Sequence, residues 1–208
     1  MRTSYLMAKA TTLEVFTDFV CPWCYLATPR VEKLKRNFSV DVRWSYFPLH
    51  PDTPAEGMLL KDLFAGRNFD IEAAHARLKT LMDAEGLTFN ARTHTYNSRL
   101  AQELAKGFDS DALRDALYKA YFEDARNIGD LEVLVEVAQA CGIPADAARR
   151  ALVERTFKAA VDADWAKARA YGITGVPSFV AGNQKVAGAQ PYEILARLAV
   201  AAGASPLG

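Results

Sequence analysis

Two cysteines separated by two residues, Cys21-Pro22-Trp23-Cys24, stand directly after the apolar run Leu13-Glu14-Val15-Phe16-Thr17-Asp18-Phe19-Val20. Thiols at that spacing can close into a disulfide and reopen, exchanging two electrons each time. The run before them reads as a strand and the residues after them as a helix, so the first cysteine falls at a helix N-terminus. There, unpaired backbone N–H groups and the helix dipole favour a thiolate over a thiol, and the thiolate is the form that attacks disulfides. The same spacing is half a zinc site, but no second CxxC or Cys/His pair stands elsewhere to complete four ligands, and no metal is expected. Three cysteines in all are too few for a disulfide scaffold.

Holding two thiols in that way takes a strand that ends just before them and a helix that begins with them. Segment 12–20 is short, apolar and rich in β-branched and aromatic residues, and segment 40–47 alternates with period two through Trp44; both predict strands. Between them Ala27, Val31, Leu34 and Phe38 recur at helical spacing, with Pro22 tolerated in the first turn, where its missing N–H costs nothing. Pro29 lies inside the same helix and is expected to remove one backbone bond and kink it. From about 58 to 171 the periodicity is helical. Ile71, Ala74, Leu78 and Leu81 share a face that ends before Gly86, Leu100 and Leu104 follow an Asn97-Ser98 start, and Leu113, Leu117 and Tyr121 form another stripe. Asp130 reads as the N-cap for Leu131, Leu134, Val135 and Ala138, and Pro144 as the opening of one long helix carrying Phe157, Val161, Trp165 and Ala168. Short β-like pieces return at 178–181 and 185–187, joined by Gly182-Asn183-Gln184, before a final helix over about 191–201. This order predicts an α/β fold, a small mixed sheet with flanking helices formed by 11–57 and 172–203, interrupted by an all-helical insertion over 58–171.

Several side chains have two readings. Asp18, three residues before Cys21, could accept the Cys24 proton through water or could pair locally. Asn97 reads as a helix N-cap, with a substrate contact across a cleft as its other role. His50, His75 and His94 have no ligand spacing and are expected on the surface or in turns. Arg30, Lys33, Lys35 and Arg36 read as the solvated face of the first helix, on the element that carries the thiols and therefore suited to acidic partners or glutathione. Cys141, seven residues after Leu134 and three after Ala138, reads as a small hydrophobe on an apolar helix face. Trp44 and Trp165 read as packing, whereas Trp23 must lie near the surface if the motif is accessible.

The totals narrow the partners. The chain has 208 residues, half of them hydrophobic, enough for one fold with an insertion. Lys plus Arg and Asp plus Glu both number 25, so nothing electrostatic calls for a nucleic acid or an anionic membrane. A protein or a small thiol is the expected substrate, and a monomer or two-fold homodimer the expected state. The first ten residues show no apolar stretch of the roughly 7 to 15 residues that an export signal needs, and no later run reaches membrane-spanning length, so the expected location is the cytoplasm.

Three stretches together carry more than topology: Asp18-Phe19-Val20-Cys21-Pro22-Trp23-Cys24-Tyr25, Gly172-Ile173-Thr174-Gly175-Val176-Pro177-Ser178-Phe179 and Val186-Ala187-Gly188-Ala189-Gln190-Pro191. Across its whole length the chain resembles the DsbA-type thioredoxin-like family, specifically its FrnE-like branch. That resemblance implies a thioredoxin domain interrupted by a helical domain and a thiol-disulfide oxidoreductase needing no cofactor beyond its redox-active disulfide. It implies Cys21 as the nucleophile that forms a mixed disulfide and Cys24 as the thiol that resolves it. It implies a cis-proline loop at Val176-Pro177 that aligns an extended substrate, with Pro22 and Trp23 tuning the pair. The implied partners are protein or peptide thiols and disulfides, glutathione as a co-substrate, and a thioredoxin-type recycling partner. The family's secreted oxidases carry export signals, which residues 1–10 do not show. An adjacent branch, the kappa-class glutathione transferases and 2-hydroxychromene-2-carboxylate isomerases, has serine at the Cys21 place, and cysteine at both places favours dithiol chemistry. A glutathione-dependent transferase or isomerase, with Cys21 or Asn97 near the tripeptide, and a redox-switched chaperone-like binding module are the rival readings.

Overall fold

A computed structural model describes residues 10–207, so the reading of residues 1–9 as lacking an export signal lies outside the described residues. Strand β1 (Thr11–Thr17) leads through a short turn into helix α1 (Pro22–Asn37) and back to strand β2 (Val40–Tyr46), which pairs with β1 in parallel. Much later β5 (Ser178–Ala181) joins the other edge of β1 antiparallel and β6 (Gln184–Ala187) pairs with β5, giving the mixed sheet β2-β1-β5-β6. The β5–β6 turn needs a left-handed residue, and Gly182 supplies it at φ 58. Side-chain alternation along β1 sorts the two faces. Leu13 and Val15 pack with Ala27, Val31 and Leu34 of α1 and with the last helix, α9 (Tyr192–Ala201), while Phe16 meets Ala168 and Ile173 on the opposite side.

Pro29 lies within α1, and the helix is assigned without interruption from Pro22 to Asn37. The missing N–H of Pro29 frees the carbonyl four residues back, that of Tyr25, and the Thr28 hydroxyl donates to it at 2.9 Å. One side chain thus satisfies the acceptor that the proline orphans.

Between β2 and β5 lie the remaining elements: β3 (Met58–Leu59), α2 (Leu60–Leu63), α3 (Ile71–Ala84), β4 (His94–Thr95), α4 (Arg99–Phe108), α5 (Asp111–Phe122), α6 (Leu131–Ala140), α7 (Ala145–Val153) and α8 (Lys158–Ala170). The insertion is helical apart from the two-residue antiparallel ladder of β3 with β4. Asp130 caps α6 by accepting from the amides of Glu132 and Val133 at 2.8 and 3.0 Å. The helix expected to run on from Pro144 is two helices instead. Arg155 breaks it with φ 53, and its guanidinium makes two 2.7 Å bonds to the buried Glu103 carboxylate, which also pairs with Arg99 at 2.6 Å. An interruption of this kind is invisible to hydrophobic periodicity, because α7 and α8 keep their apolar stripes on either side of it. Gly107 in α4 has a packing reason, since a Cβ there would collide with the Phe157 ring that starts α8.

The insertion does not carry a core of its own. One apolar cluster runs from Phe19, Cys24 and Tyr25 of the thiol segment into Leu104, Leu117, Phe122 and Leu134 of the inserted helices. Tyr25 stacks on Phe122 at 5.2 Å between centroids and on Tyr118 at 5.5 Å, so α1 is clamped between the sheet and α5. Arg30 of α1 was expected on a solvated face. It is half-buried, bonding Glu85 at 2.6 Å and the carbonyls of Ala189 and Gln190 at 2.9 Å each, which ties the motif helix to the end of α3 and to the loop before α9.

Candidate active site

Cys21 is the residue before the first turn of α1, with extended backbone (φ −90°, ψ 113°) and Pro22 following it. Its carbonyl accepts the amides of Cys24 and Tyr25 at 3.1 and 3.2 Å, so the turn that brings the two cysteines together is the opening of the helix itself. Both carry free thiols and both are buried, at 3 % and 2 % exposure. Burial and the adjacent Cys21 thiol push the Cys24 thiol well above its ordinary range, with the Thr17 hydroxyl and the Asp18 amide pulling the other way. Cys24 is therefore held as a protonated, inward thiol.

The Val176–Pro177 peptide bond is cis. The Cys21 thiol donates to the Val176 carbonyl at 3.4 Å, which puts this loop against the outer sulfur. The loop is held from behind: the Pro177 carbonyl accepts the Gly188 amide at 2.7 Å, and the Ser178 hydroxyl donates to the Gly175 carbonyl at 2.8 Å. Cys21, Pro22, Trp23 and Val176 together line one end of a cleft of about 610 Å3. Its far wall comes from α2, α3 and the loops around them. A cavity of this size, mainly apolar and with the Cys21 thiol at one end, is suited to a small molecule or to one or two side chains of a peptide.

Asp18 lies under the turn with no exposure. Its two carboxylate oxygens accept from the amides of Val20 at 3.3 Å and Leu49 at 2.9 Å, so it is engaged locally and pins the loop after β2 to the thiol turn. Burial pushes its carboxyl from the ordinary 3.8 up to about 6, although bonds from Ser98, Leu49, Val20 and Gln102 pull it down. An acid with a higher pKa in the folded than in the unfolded chain gives stability that is complete below the unfolded value and is lost as pH rises through the folded one. Wild-type stability is therefore expected to fall by about 2–3 kcal/mol between pH 4 and pH 7 on account of Asp18. Asp18→Asn should flatten that slope. Denaturant unfolding of both proteins across this range checks it, and equal slopes would remove Asp18 as the cause.

Asn97 does cap the start of α4, as one of its two readings expects, and it does not line the cleft, as the other would require. Its amide donates to the carbonyls of Pro51 at 3.1 Å and Thr53 at 2.9 Å, and its oxygen accepts the Arg99 amide at 3.0 Å. Ser98 stands at the N-cap position without a side-chain cap bond, so the Asn97 oxygen does the capping while its amide joins the 51–53 segment to the start of α4. Thr95 lines the cleft and Asn97 does not.

Sequence reasoning missed two histidines. His50 and His75 line the cleft rather than a plain surface turn, and burial together with Arg67 lowers the His50 imidazole from its usual value. A signal for His75 was present, since it stands four residues after Ile71 and three before Leu78, on the same helical face. Cys141 caps the end of α6, partly exposed and far in sequence from the motif, with its thiol 3.6 Å from the Ala112 carbonyl. Among the described residues no cluster of three or more His, Cys, Asp or Glu is placed to hold a metal, and no helix is long and apolar enough to cross a membrane.

Similarity to known proteins agrees with this geometry. The sequence profile of the DSBA-like thioredoxin domain matches residues 12–199. The probable DsbA oxidoreductase SCO1869 of Streptomyces coelicolor is 31 % identical, superposes with a TM-score of 0.84, and the match covers 95 % of this chain and 93 % of that one. YwbO of Bacillus subtilis, an uncharacterized protein, is 24 % identical over 88 % of this chain and 92 % of its own length. The cytosolic disulfide reductase DsbM of Pseudomonas aeruginosa, solved with GSH, shares the fold at 18 % identity and a TM-score of 0.58, over 84 % of this chain and 88 % of its own. With the profile spanning both halves of the sheet, the thiol turn and the helices between them, this chain is a member of the DSBA-like thioredoxin domain family, which groups thiol-disulfide oxidoreductases.

Proposed function

We propose that the protein is a thiol-disulfide oxidoreductase working through the Cys21–Cys24 pair, with Cys21 attacking and Cys24 resolving. The observation that carries this reading is the division of labour between the two thiols. Cys21 faces the cleft at the N-terminus of α1, and Cys24 lies behind it with its proton retained by burial.

In the reducing direction, the Cys21 thiolate attacks one sulfur of a substrate disulfide, forming a Cys21 mixed disulfide and releasing the other sulfur as a thiolate. Cys24 then gives up its proton and attacks the Cys21 sulfur, which closes the internal disulfide and releases the second substrate thiolate. Two electrons pass from the dithiol to the substrate, and two protons go to the released thiolates or to solvent. The oxidising direction reverses every step. Pro22 and Trp23 shape the rim, and the backbone of Val176-Pro177 aligns the substrate beside the sulfur. Protein or peptide thiols and disulfides are the substrates in this reading, and glutathione or a thioredoxin-type protein is the recycling partner in the cytoplasm. The DsbM fold, solved with GSH, supports glutathione as that co-substrate.

Equilibrium titration of the pair in glutathione redox buffers, read by alkylation and mass, tests the reading and fixes its direction. A potential well above about −200 mV marks an oxidant or isomerase, and one near about −270 mV a reductant. If no reversible internal disulfide forms, the reading fails and a glutathione-dependent transferase or isomerase on the same fold replaces it.

A further inference from the structure

Two side chains that line the cleft, Arg92 and His75, each carry a nitrogen that is sealed from solvent and has no protein partner, Nε and Nε2. A buried polar atom left unpaired is costly, and native folds keep few of them. Both residues line the same cavity as Cys21. The Arg92 guanidinium rests over three rings, 4.7 Å from the centroid of Phe122, 5.0 Å from Tyr121 and 5.4 Å from Phe89. His75 stacks on Phe89 at 4.9 Å. Aromatic packing thus orients both side chains, while among the described residues no carboxylate answers Arg92. The other charged groups on the lining, Glu72 and Arg77, are both exposed and offset each other, which leaves Arg92 as the uncompensated charge of the wall. Most of the remainder is apolar, including Ile71 and Ala74, which α3 turns toward the cavity instead of the core.

We propose that this cleft receives a small apolar thiol or disulfide bearing a carboxylate, with the anion bound by Arg92 and His75 and the sulfur presented to Cys21. The proposal rests on the dithiol reading and specifies its substrate class. Arg92 offers a planar donor fork suited to a carboxylate, and seating it on aromatic faces reduces the freedom that it loses on binding. His75 Nε2 adds a second donor when it carries the proton. The cavity holds about 610 Å3, enough for a substituted aromatic disulfide, and its apolar wall favours such a body over a polar peptide.

The test is single-turnover reduction, by the fully reduced protein, of 5,5′-dithiobis(2-nitrobenzoate), of uncharged bis(4-nitrophenyl) disulfide and of oxidised glutathione. Each rate is divided by that of dithiothreitol with the same reagent, which cancels leaving-group reactivity. In each reaction Cys21 displaces one aryl or glutathionyl thiolate, Cys24 displaces the second, and the protein ends as the internal disulfide. The wild-type protein should favour the carboxylated aromatic reagent over the uncharged one by roughly tenfold or more, as one charge-assisted contact allows. Arg92→Gln should lower the carboxylated rate about tenfold more than the uncharged rate, Arg92→Lys should restore part of the preference, and His75→Phe should reduce it several-fold. No preference in the wild-type protein, an equal loss on both aromatic reagents in Arg92→Gln, or oxidised glutathione outrunning the aromatic carboxylate would each overturn the proposal. Thiolate release that leaves no Cys21–Cys24 disulfide by mass would instead remove the dithiol reading beneath it.

Discussion

Cys21→Ser is expected to bring disulfide turnover to the detection limit, whereas Cys24→Ser is expected to keep the attack and lose the release. The asymmetry comes from position. Cys21 is the residue at the head of α1 whose sulfur reaches the cleft, and a serine hydroxyl there is neither ionised near neutral pH nor able to form a disulfide. Cys24 sits behind it and does not line the cleft, poorly placed to meet an incoming disulfide but beside the Cys21 sulfur once that has reacted. In Cys24→Ser the mixed disulfide has no second thiol to displace the substrate. Cys141 cannot stand in, because its thiol lies at the end of α6 against the Ala112 carbonyl. Insulin reduction and non-reducing gels after incubation with thiol-bearing proteins check both halves. Turnover that survives in Cys21→Ser, or a Cys24→Ser protein that accumulates no mixed disulfide, contradicts the assignment.

Phe122→Ala is expected to cost about 3–5 kcal/mol, the usual range for removing a buried phenyl ring and leaving a cavity. Phe122 is 1 % exposed and stacks on Tyr25 at 5.2 Å, with Phe89, Tyr118 and Tyr121 around it. It also seats the Arg92 guanidinium. The ring is therefore the joint between the thiol-bearing helix and the insertion, and its loss opens the shared core at that joint. For a chain of this size the melting temperature should fall on the order of 10 °C. Calorimetry or denaturant unfolding measures it, with Phe122→Leu expected to lose less. A cost under about 1 kcal/mol would show that the insertion is held by other contacts.

The parts that sequence made legible are those written in period and punctuation. A cysteine pair at a strand-to-helix boundary, the short apolar stretch that forms β1, and the capping aspartate of α6 all depend on neighbours a few residues away. The break between α7 and α8 does not. It is set by Arg155 reaching Glu103, fifty-odd positions earlier, and both flanking stripes look continuous without it. Arg30 misled for a similar reason, since its helix position looks solvated until the loop carrying Ala189 and Gln190 is folded against it. The same holds within the cleft. Cys21, Pro22 and Trp23 are read from one tetrapeptide and Val176 with Pro177 from a loop motif, but Arg92 enters only through a turn of the insertion, and Asn97 leaves because nearby carbonyls claim its amide.

The place of β1 in the sheet has a consequence for how the protein is made. The strand that leads into the thiols lies between β2 and β5, so one of its edges can pair as soon as β2 leaves the ribosome. The other edge must wait until the whole insertion has been synthesised and β5 follows. During that interval Leu13, Val15 and Phe16 present an open strand edge, which is a template for association with other nascent chains. The speed of translation through the insertion, more than the final stability of the sheet, therefore sets how long each new chain is exposed to aggregation.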